Sequence, residues 1–343
     1  MNKKIAHSRT LRTNSYLKTC YLLPLLNSRI KIERNCYSRR VDDINLKKLT
    51  CADKKTFDKY FGSRYCENAE YTFTNLYMWR EMCNIQWAVE DEVLYIFSSN
   101  DTNFSSWQPI GAQDKMQDAI TKILRTAEEN RYERQFRFVD VEKIFAEELE
   151  KYPHAKFNIT AERDDFDYVY LTQDLINLSG RKFHGKKNHL NAFKKKYPDA
   201  KYMPITEELI PKCREELNIW AEARKRENPD NPFIGYEQAA IHEIFDHFDK
   251  FKLKGGAILL DNRVVAFTFG EKLNSDTAVI HVEKADSNIR GIYTAINQAF
   301  VEHEWSDMIY INREEDMGID GLRRAKESYR PIKMIEKFNA TLA

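Results

Sequence analysis

Regular spacing of apolar residues begins at Ile44. Ile44 to Leu49 alternates weakly, as a strand does, and Ala52 to Phe61 predicts a short helix stopped by Gly62. Tyr71 to Trp79 is dense in aromatics at helical spacing. Gln86 to Val89 and Val93 to Phe97 predict a hairpin across the acidic turn Glu90-Asp91-Glu92. Lys115 to Asn130 predicts an amphipathic helix with Met116, Ile120, Ile123, Leu124 and Ala127 on one face. A strand over Phe136 to Val139, a helix over Val141 to Tyr152 and a strand over Phe157 to Thr160 complete a first α/β unit.

The second half repeats the theme at larger scale. Helices are expected over Gln173 to Leu178, His189 to Tyr197, Glu207 to Lys225 and Tyr236 to Phe248. Gly256 to Leu260 and Val264 to Gly270 predict a strand pair, followed by a strand over Thr277 to Val282. Then come a helix (Ile292 to Glu304), a strand (Met308 to Asn312), a helix (Asp320 to Ser328) and a last strand (Lys333 to Phe338). That order is the order of the acyl-CoA N-acyltransferase fold. The expected fold class is therefore α/β (α+β): tandem GNAT-like domains over residues 41–160 and 161–343, each a mixed central sheet flanked by helices.

Composition fits a folded chain, with hydrophobic residues at 42%, 18 Tyr, 20 Phe and few Gly or Pro. No apolar run approaches the roughly 20 residues that cross a bilayer; Tyr21 to Leu26 is short and contains Pro24. Six scattered cysteines make no metal-ligand spacing and suit a reducing compartment. No metal is expected. Residues 1–40 carry +9, which leaves −8 on the rest of a chain whose net charge is +1. That basic opening reads either as a transit-type leader or as a disordered stretch ahead of a mis-set start, with Val41 opening the folded part.

Three stretches carry candidate chemistry. Residues 179–197 place Arg181, Lys182, Lys186, Lys187, Lys194, Lys195 and Lys196 beside Phe183, Phe193 and Tyr197, with no acid until Asp199. Cations interleaved with aromatics suit a phosphate backbone and an unstacked base, or equally a solvated helix face. Residues 282–293 lead from a strand into a helix through Arg290-Gly291, an anion-binding turn or an ordinary helix start that lacks the full glycine pattern of a coenzyme A loop. Residues 310–331 pass through Asn312-Arg-Glu-Glu-Asp316, cross Gly318 and Gly321 and enter a basic helix. Carboxylates and guanidinium groups this close can share acid–base work, or simply bridge one another.

Taken together, these stretches resemble the phosphatidylglycerol lysyltransferase C-terminal family over roughly residues 42–343. The match includes Phe73 with Asn75-Leu-Tyr-Met-Trp79, Leu171 to Phe193, Glu283-Lys-Ala-Asp286, Asn312-Arg-Glu-Glu-Asp316 and Gly321 to Pro331. The resemblance implies a tandem acyltransferase fold related to the Fem peptidoglycan-bridge transferases. It also implies transfer of an amino acid from aminoacyl-tRNA, the co-substrate, to a lipid or other small acceptor. No metal or organic cofactor is needed. Lipid-modifying members carry a transmembrane portion before this domain that this chain lacks, so the phosphatidylglycerol acceptor stays open.

On this reading Glu283, Asp286 and Asp316 are acid–base or amine-recognising carboxylates, and Asn312 and Arg313 orient substrate or oppose negative charge. Lys186, Lys187, Arg323, Arg324 and Lys326 hold the acceptor stem or its phosphates, and His184, Asn188 and Arg290 join them as substrate-binding candidates. A cytoplasmic protein with optional peripheral membrane contact is expected. Three rivals stay open. They are a coenzyme A-dependent N-acyltransferase, a noncatalytic binder of nucleic acid or an anionic surface, and a purely structural domain.

Overall fold

A computed structural model of the chain describes residues 44–100, 103–129 and 135–343. The expectations for residues 1–40 fall outside the described residues. Two seven-stranded sheets form the frame. The first runs in the order β1 (Lys47–Lys48), β2 (Gln86–Glu90), β3 (Val93–Ser99), β4 (Asn103–Ser106), β5 (Gln135–Val141), β14 (Phe338–Leu342) and β6 (Phe157–Ala161). The second, taken in the matching direction, runs β8 (Lys201–Pro204), β9 (Lys254–Leu260), β10 (Arg263–Lys272), β11 (Thr277–Ala285), β12 (Tyr310–Asn312), β7 (Asp167–Leu171) and β13 (Lys333–Ile335).

The two orders correspond strand for strand. Each sheet holds one parallel pair, β4 with β5 and β11 with β12, and its other pairs are antiparallel. A helix crosses over within each parallel pair, α3 (Met116–Glu129) in the first and α9 (Ile292–Glu304) in the second. Each sheet also takes a strand whose chain neighbour lies in the other sheet: β7 follows β6, and β14 follows β13. Strand β7 enters the second sheet ahead of the rest of it, and β14 returns to the first sheet from the C-terminal end. The strand expected over Lys333 to Phe338 is thus two strands in different sheets. Residues 338–342, grouped from the sequence with the second half, sit between β5 and β6.

The remaining helices are α1 (Lys54–Phe61), α2 (Phe73–Cys83), α4 (Lys143–Glu150), α5 (Thr172–Asn177), α6 (His184–Lys196), α7 (Ile210–Glu227), α8 (Phe233–Asp246) and α10 (Asp320–Glu327). Helix α2 starts at Thr72, whose hydroxyl accepts from Asn75 N, and stops at Asn84 in the left-handed conformation. One apolar core spans both halves: Phe57, Phe73 and Trp87 of the first pack with Phe245, Phe251 and Phe267 of the second. Phe251 meets Phe73 and Tyr77 edge-on at 5.3 and 5.0 Å. Separate clusters line the far face of each sheet. No helix among the described residues is long and apolar enough to cross a membrane.

Charges are buried where the chain changes sheets. Lys337, in the two-residue link from β13 to β14, pairs with Asp167 at the start of β7 (2.7 Å) and with Glu70 (2.8 Å), and all three are under 2% exposed. Glu315 lies 3.6 Å away, and the backbone of Glu162 donates to the Lys337 carbonyl at 3.2 Å. Burial would lower the Lys337 ammonium, but the surrounding carboxylates outweigh it and hold the group charged. Burial also pushes the neighbouring Asp140 up to about 6. A second buried acid, Glu216 on α7, is 1% exposed with neither carboxylate oxygen partnered, and burial pushes it up to about 7.

Two stability predictions follow from these groups. Lys337→Met leaves three carboxylates without their cation and should lower unfolding free energy by about 3–5 kcal/mol in denaturant melts. Glu216 has a folded-state pKa raised above its unfolded one, so its contribution is fully present below the unfolded pKa and is lost as pH rises through about 7. Glu216→Gln should therefore stabilise the protein at pH 8 by roughly 2 kcal/mol and much less at pH 5. An equal gain at both pH values would contradict this placement of the charge.

Candidate active site

Strands β11 and β12 pair over only Thr277↔Tyr310, Ala278↔Ile311 and Val279↔Asn312. Beyond that point β11 continues to Ala285 against β10, while the chain after Asn312 turns away through Glu314 and Met317, both at positive φ. The strands open as a fork. Glu283 projects from one prong and Arg313 from the other, joined at 3.2 Å with their side chains 14% and 12% exposed.

Helices bring further groups to this gap. Asn297 of α9 donates from Nδ2 to Glu283 Oε2 at 3.2 Å. The Arg313 guanidinium lies 4.8 Å from the Tyr329 ring centre and 5.8 Å from that of Tyr170 on β7. Lys186 of α6 sets its ammonium 4.0 Å from the same Tyr329 ring. Two buried atoms of the cluster have no hydrogen-bond partner: Arg313 Nη1, a donor, and Asn297 Oδ1, an acceptor. Burial, reinforced by the Arg313 charge and opposed by Glu283, pulls the Lys186 ammonium down to about 8.

The walls of the fork are saturated by contrast. Lys326 on α10 is buried and donates to the backbone carbonyls of Arg313, Glu314 and Glu315, which fixes the turn after β12. Asp316 is fully buried and accepts from Tyr168 Oη (2.5 Å), Arg323 (2.6 and 2.8 Å), Arg163 (3.2 Å) and the Gly318 amide (2.8 Å). Burial would raise its carboxyl, but those donors hold it below its usual value. His281 is pinned between Glu271 (3.0 Å) and Glu314 (2.8 Å). Burial disfavours its charge, yet the two carboxylates raise the imidazole to about 9.

Of the residues singled out in the sequence, the structure brings Glu283, Arg313 and Lys186 into one site. Asn312 is a tie instead: its Nδ2 donates to Glu67 O and Asp167 Oδ2, both at 3.0 Å, and its Oδ1 accepts from Glu314 N. Asp286 caps its own turn through Asn288 N (3.0 Å) and bridges Arg263 (3.1 Å). Asp316, Arg323 and Lys326 are buttresses. A carboxylate with every lone pair occupied is poorly placed to move protons, and a buried ammonium capped by carbonyls cannot reach a phosphate.

His184, Lys187, Asn188, Arg290 and Arg324 are exposed. His184, Arg181 and Lys187 line an open groove of about 470 Å³ with the α5–α6 link. Gly291 (φ +87°) starts α9, and a Cβ there would lie 2.4 Å from the His189 carbonyl of α6. Its small size serves that helix contact. Sequence reasoning passed over Tyr170, Asn297 and Tyr329. The alternation Tyr168-Val-Tyr170 was the available signal for β7, whereas nothing local marks Asn297.

Comparison with known proteins bears on the fold and the family. A conserved protein of unknown function from Bacteroides thetaiotaomicron is 34% identical, with a TM-score of 0.80 over 88% of this chain and 100% of that one. L-PGS from Bacillus licheniformis shares the fold at 12% identity and a TM-score of 0.61, over 88% of this chain and 94% of that one. The uncharacterized protein MYCGA3080 of Mycoplasmoides gallisepticum is 25% identical over 173 residues, 50% of this chain and 54% of its own. The chain thus spans about half the length of that curated relative. The architecture is a tandem acyl-CoA N-acyltransferase fold. The family profile described as phosphatidylglycerol lysyltransferase, C-terminal, matches residues 64–341, and the chain belongs to that family.

Proposed function

We propose that this chain moves an aminoacyl group from aminoacyl-tRNA to the hydroxyl of a phosphatidylglycerol-like lipid or another small acceptor, with the β11–β12 fork as the active site. Family membership supports a transferase. The observation that carries the reading is the pair of unsatisfied buried groups in the fork, Arg313 Nη1 and Asn297 Oδ1. An unmade hydrogen bond in a buried site costs about 1–3 kcal/mol, so such groups call for a ligand.

An aminoacyl ester offers both counterparts. Its carbonyl oxygen can accept from Arg313 and gains negative charge in the tetrahedral intermediate, where a preorganised donor acts most strongly. Its α-ammonium can donate to Asn297 Oδ1 beside the Glu283 carboxylate. Transfer between two oxygens is nearly isoenergetic, so alignment of two bound substrates supplies much of the acceleration. The exposed cations of α6 stand next to this gap and suit the phosphates of an acceptor stem. Coenzyme A suits the site less well, because α6 packs on Gly291 at the helix start where a pyrophosphate would sit. The protein would work in the cytoplasm, touching a membrane only peripherally.

The test charges total tRNA with labelled amino acids and follows label into lipid-extractable and soluble products of a bacterial lysate. Wild-type protein should move label. Arg313→Lys keeps a charge but loses the second donor, and should slow transfer by about 10²–10³-fold while charged tRNA still binds. Glu283→Gln should weaken discrimination between aminoacyl-tRNA and its N-acetylated form, which lacks the ammonium. If charged tRNA neither binds nor loses label while coenzyme A binds tightly, the donor assignment is wrong.

A further inference from the structure

Lys186 stands apart from every other titratable side chain at the fork. Glu283 is engaged by Arg313 and Asn297. Asp316 accepts from four groups, Asp286 closes its own turn, and His281 is clamped between two carboxylates. Lys326 is spent on three carbonyls. Among the described residues, no hydrogen bond or ion pair holds the Lys186 amine, whose near contact is the face of Tyr329 at 4.0 Å. Its neighbours along the chain are Lys182 in the turn before α6, which is paired with Asp174 at 2.8 Å, and Leu190 one turn on.

From the geometry of this unpaired amine we propose that Lys186 is the proton relay of the transfer, taking the proton of the acceptor hydroxyl and returning it to the departing ribose oxygen of the tRNA. The inference rests on the function proposed above. Tyr329 is the spacer that sets the distance, with Lys186 and Arg313 both against its ring. In the proposed complex a carbonyl oxygen held by Arg313 presents its carbon to a nucleophile held by Lys186.

The step balances without any other reactant. The neutral amine accepts the hydroxyl proton as the acceptor oxygen forms its bond to the acyl carbon, and the carbonyl pair shifts onto the oxygen facing Arg313. The tetrahedral intermediate collapses, the bond to the ribose oxygen breaks, and the ammonium protonates that oxygen. The enzyme ends as it began.

The groups facing Lys186 from packed elements are Arg313 after β12, Glu283 on β11 and Tyr329 after α10. With its pKa near 8, roughly a tenth of the amine is neutral at pH 7. That is a workable fraction for a base that must also act as an acid. Arginine at this position would keep the charge and lose the proton exchange.

The experiment measures label transfer at saturating charged tRNA from pH 6 to 9, using a bacterial lysate with its lipids and soluble small molecules as the source of acceptor. Wild type should show a rate that rises with pH and levels off near 8. Lys186→Arg and Lys186→Ala should fall about 10²–10⁴-fold and lose that rise, with aminoacyl-tRNA affinity changed less than threefold. Added ethylamine should restore part of the Lys186→Ala rate, and guanidinium should not.

If Lys186→Arg keeps the wild-type rate and pH profile, the relay is overturned while the transfer reading stands. A Lys186→Ala protein that folds, binds tRNA and ignores ethylamine overturns it too. If wild type itself moves no label, the transfer reading fails and the relay falls with it. Should Lys186→Ala not fold by circular dichroism, the Lys186→Arg profile alone decides.

Discussion

The architecture hangs on one buried ion cluster at the place where the chain changes sheets twice. The chain passes from β6 in the first sheet to β7 in the second, and from β13 in the second sheet back to β14 in the first. Lys337 in the returning link is held to Asp167 at the head of the outgoing strand and to Glu70 of the first half. Isolated, the Lys337 ammonium would be costly to bury; Asp167 and Glu70 hold it, and burial in turn raises the Glu70 carboxyl well above its usual value. Asn312 ties into the same cluster through Asp167. The point at which β12 stops pairing with β11 is therefore anchored to both halves.

From that anchor the site is built by contrast between satisfied and unsatisfied polar groups. The turn after β12 is immobilised by Lys326 on three carbonyls and by Asp316 within its ring of donors. These contacts hold Arg313 in place without occupying all of it. The fork keeps one donor, one acceptor and one free amine at its mouth. Preorganisation of this kind costs stability at the site and is supported by the saturated shell behind it.

Much of the frame was legible in the chain. The α3 stripe of Met116, Ile120, Ile123 and Leu124 is buried as its spacing predicts, and α9 runs over the span that its pattern marks. What local pattern could not carry was exchange between halves. β14 follows β13 after two residues, so the run reads as one strand, and only the pairing partners separate them. The short strands β4 and β8 have too few residues for a period. At the site, proximity in sequence favoured Asn312 and Asp316 as chemistry. Their saturation is a property of partners 145 and 148 residues away, Asp167 and Tyr168. Charge density marked α6 but could not tell Lys186, turned to the fork, from Lys187, exposed on the groove.

The central claim is that the fork receives the aminoacyl ester itself. The most direct measurement is a crystal structure of the protein with a non-hydrolysable 3′-aminoacylamido-adenosine, an analogue of the charged tRNA end. The account predicts its carbonyl oxygen within hydrogen-bond distance of Arg313 Nη1 and its ammonium against Glu283 and Asn297 Oδ1. An analogue bound with its aminoacyl group outside the fork, leaving Arg313 and Asn297 unsatisfied, would contradict it.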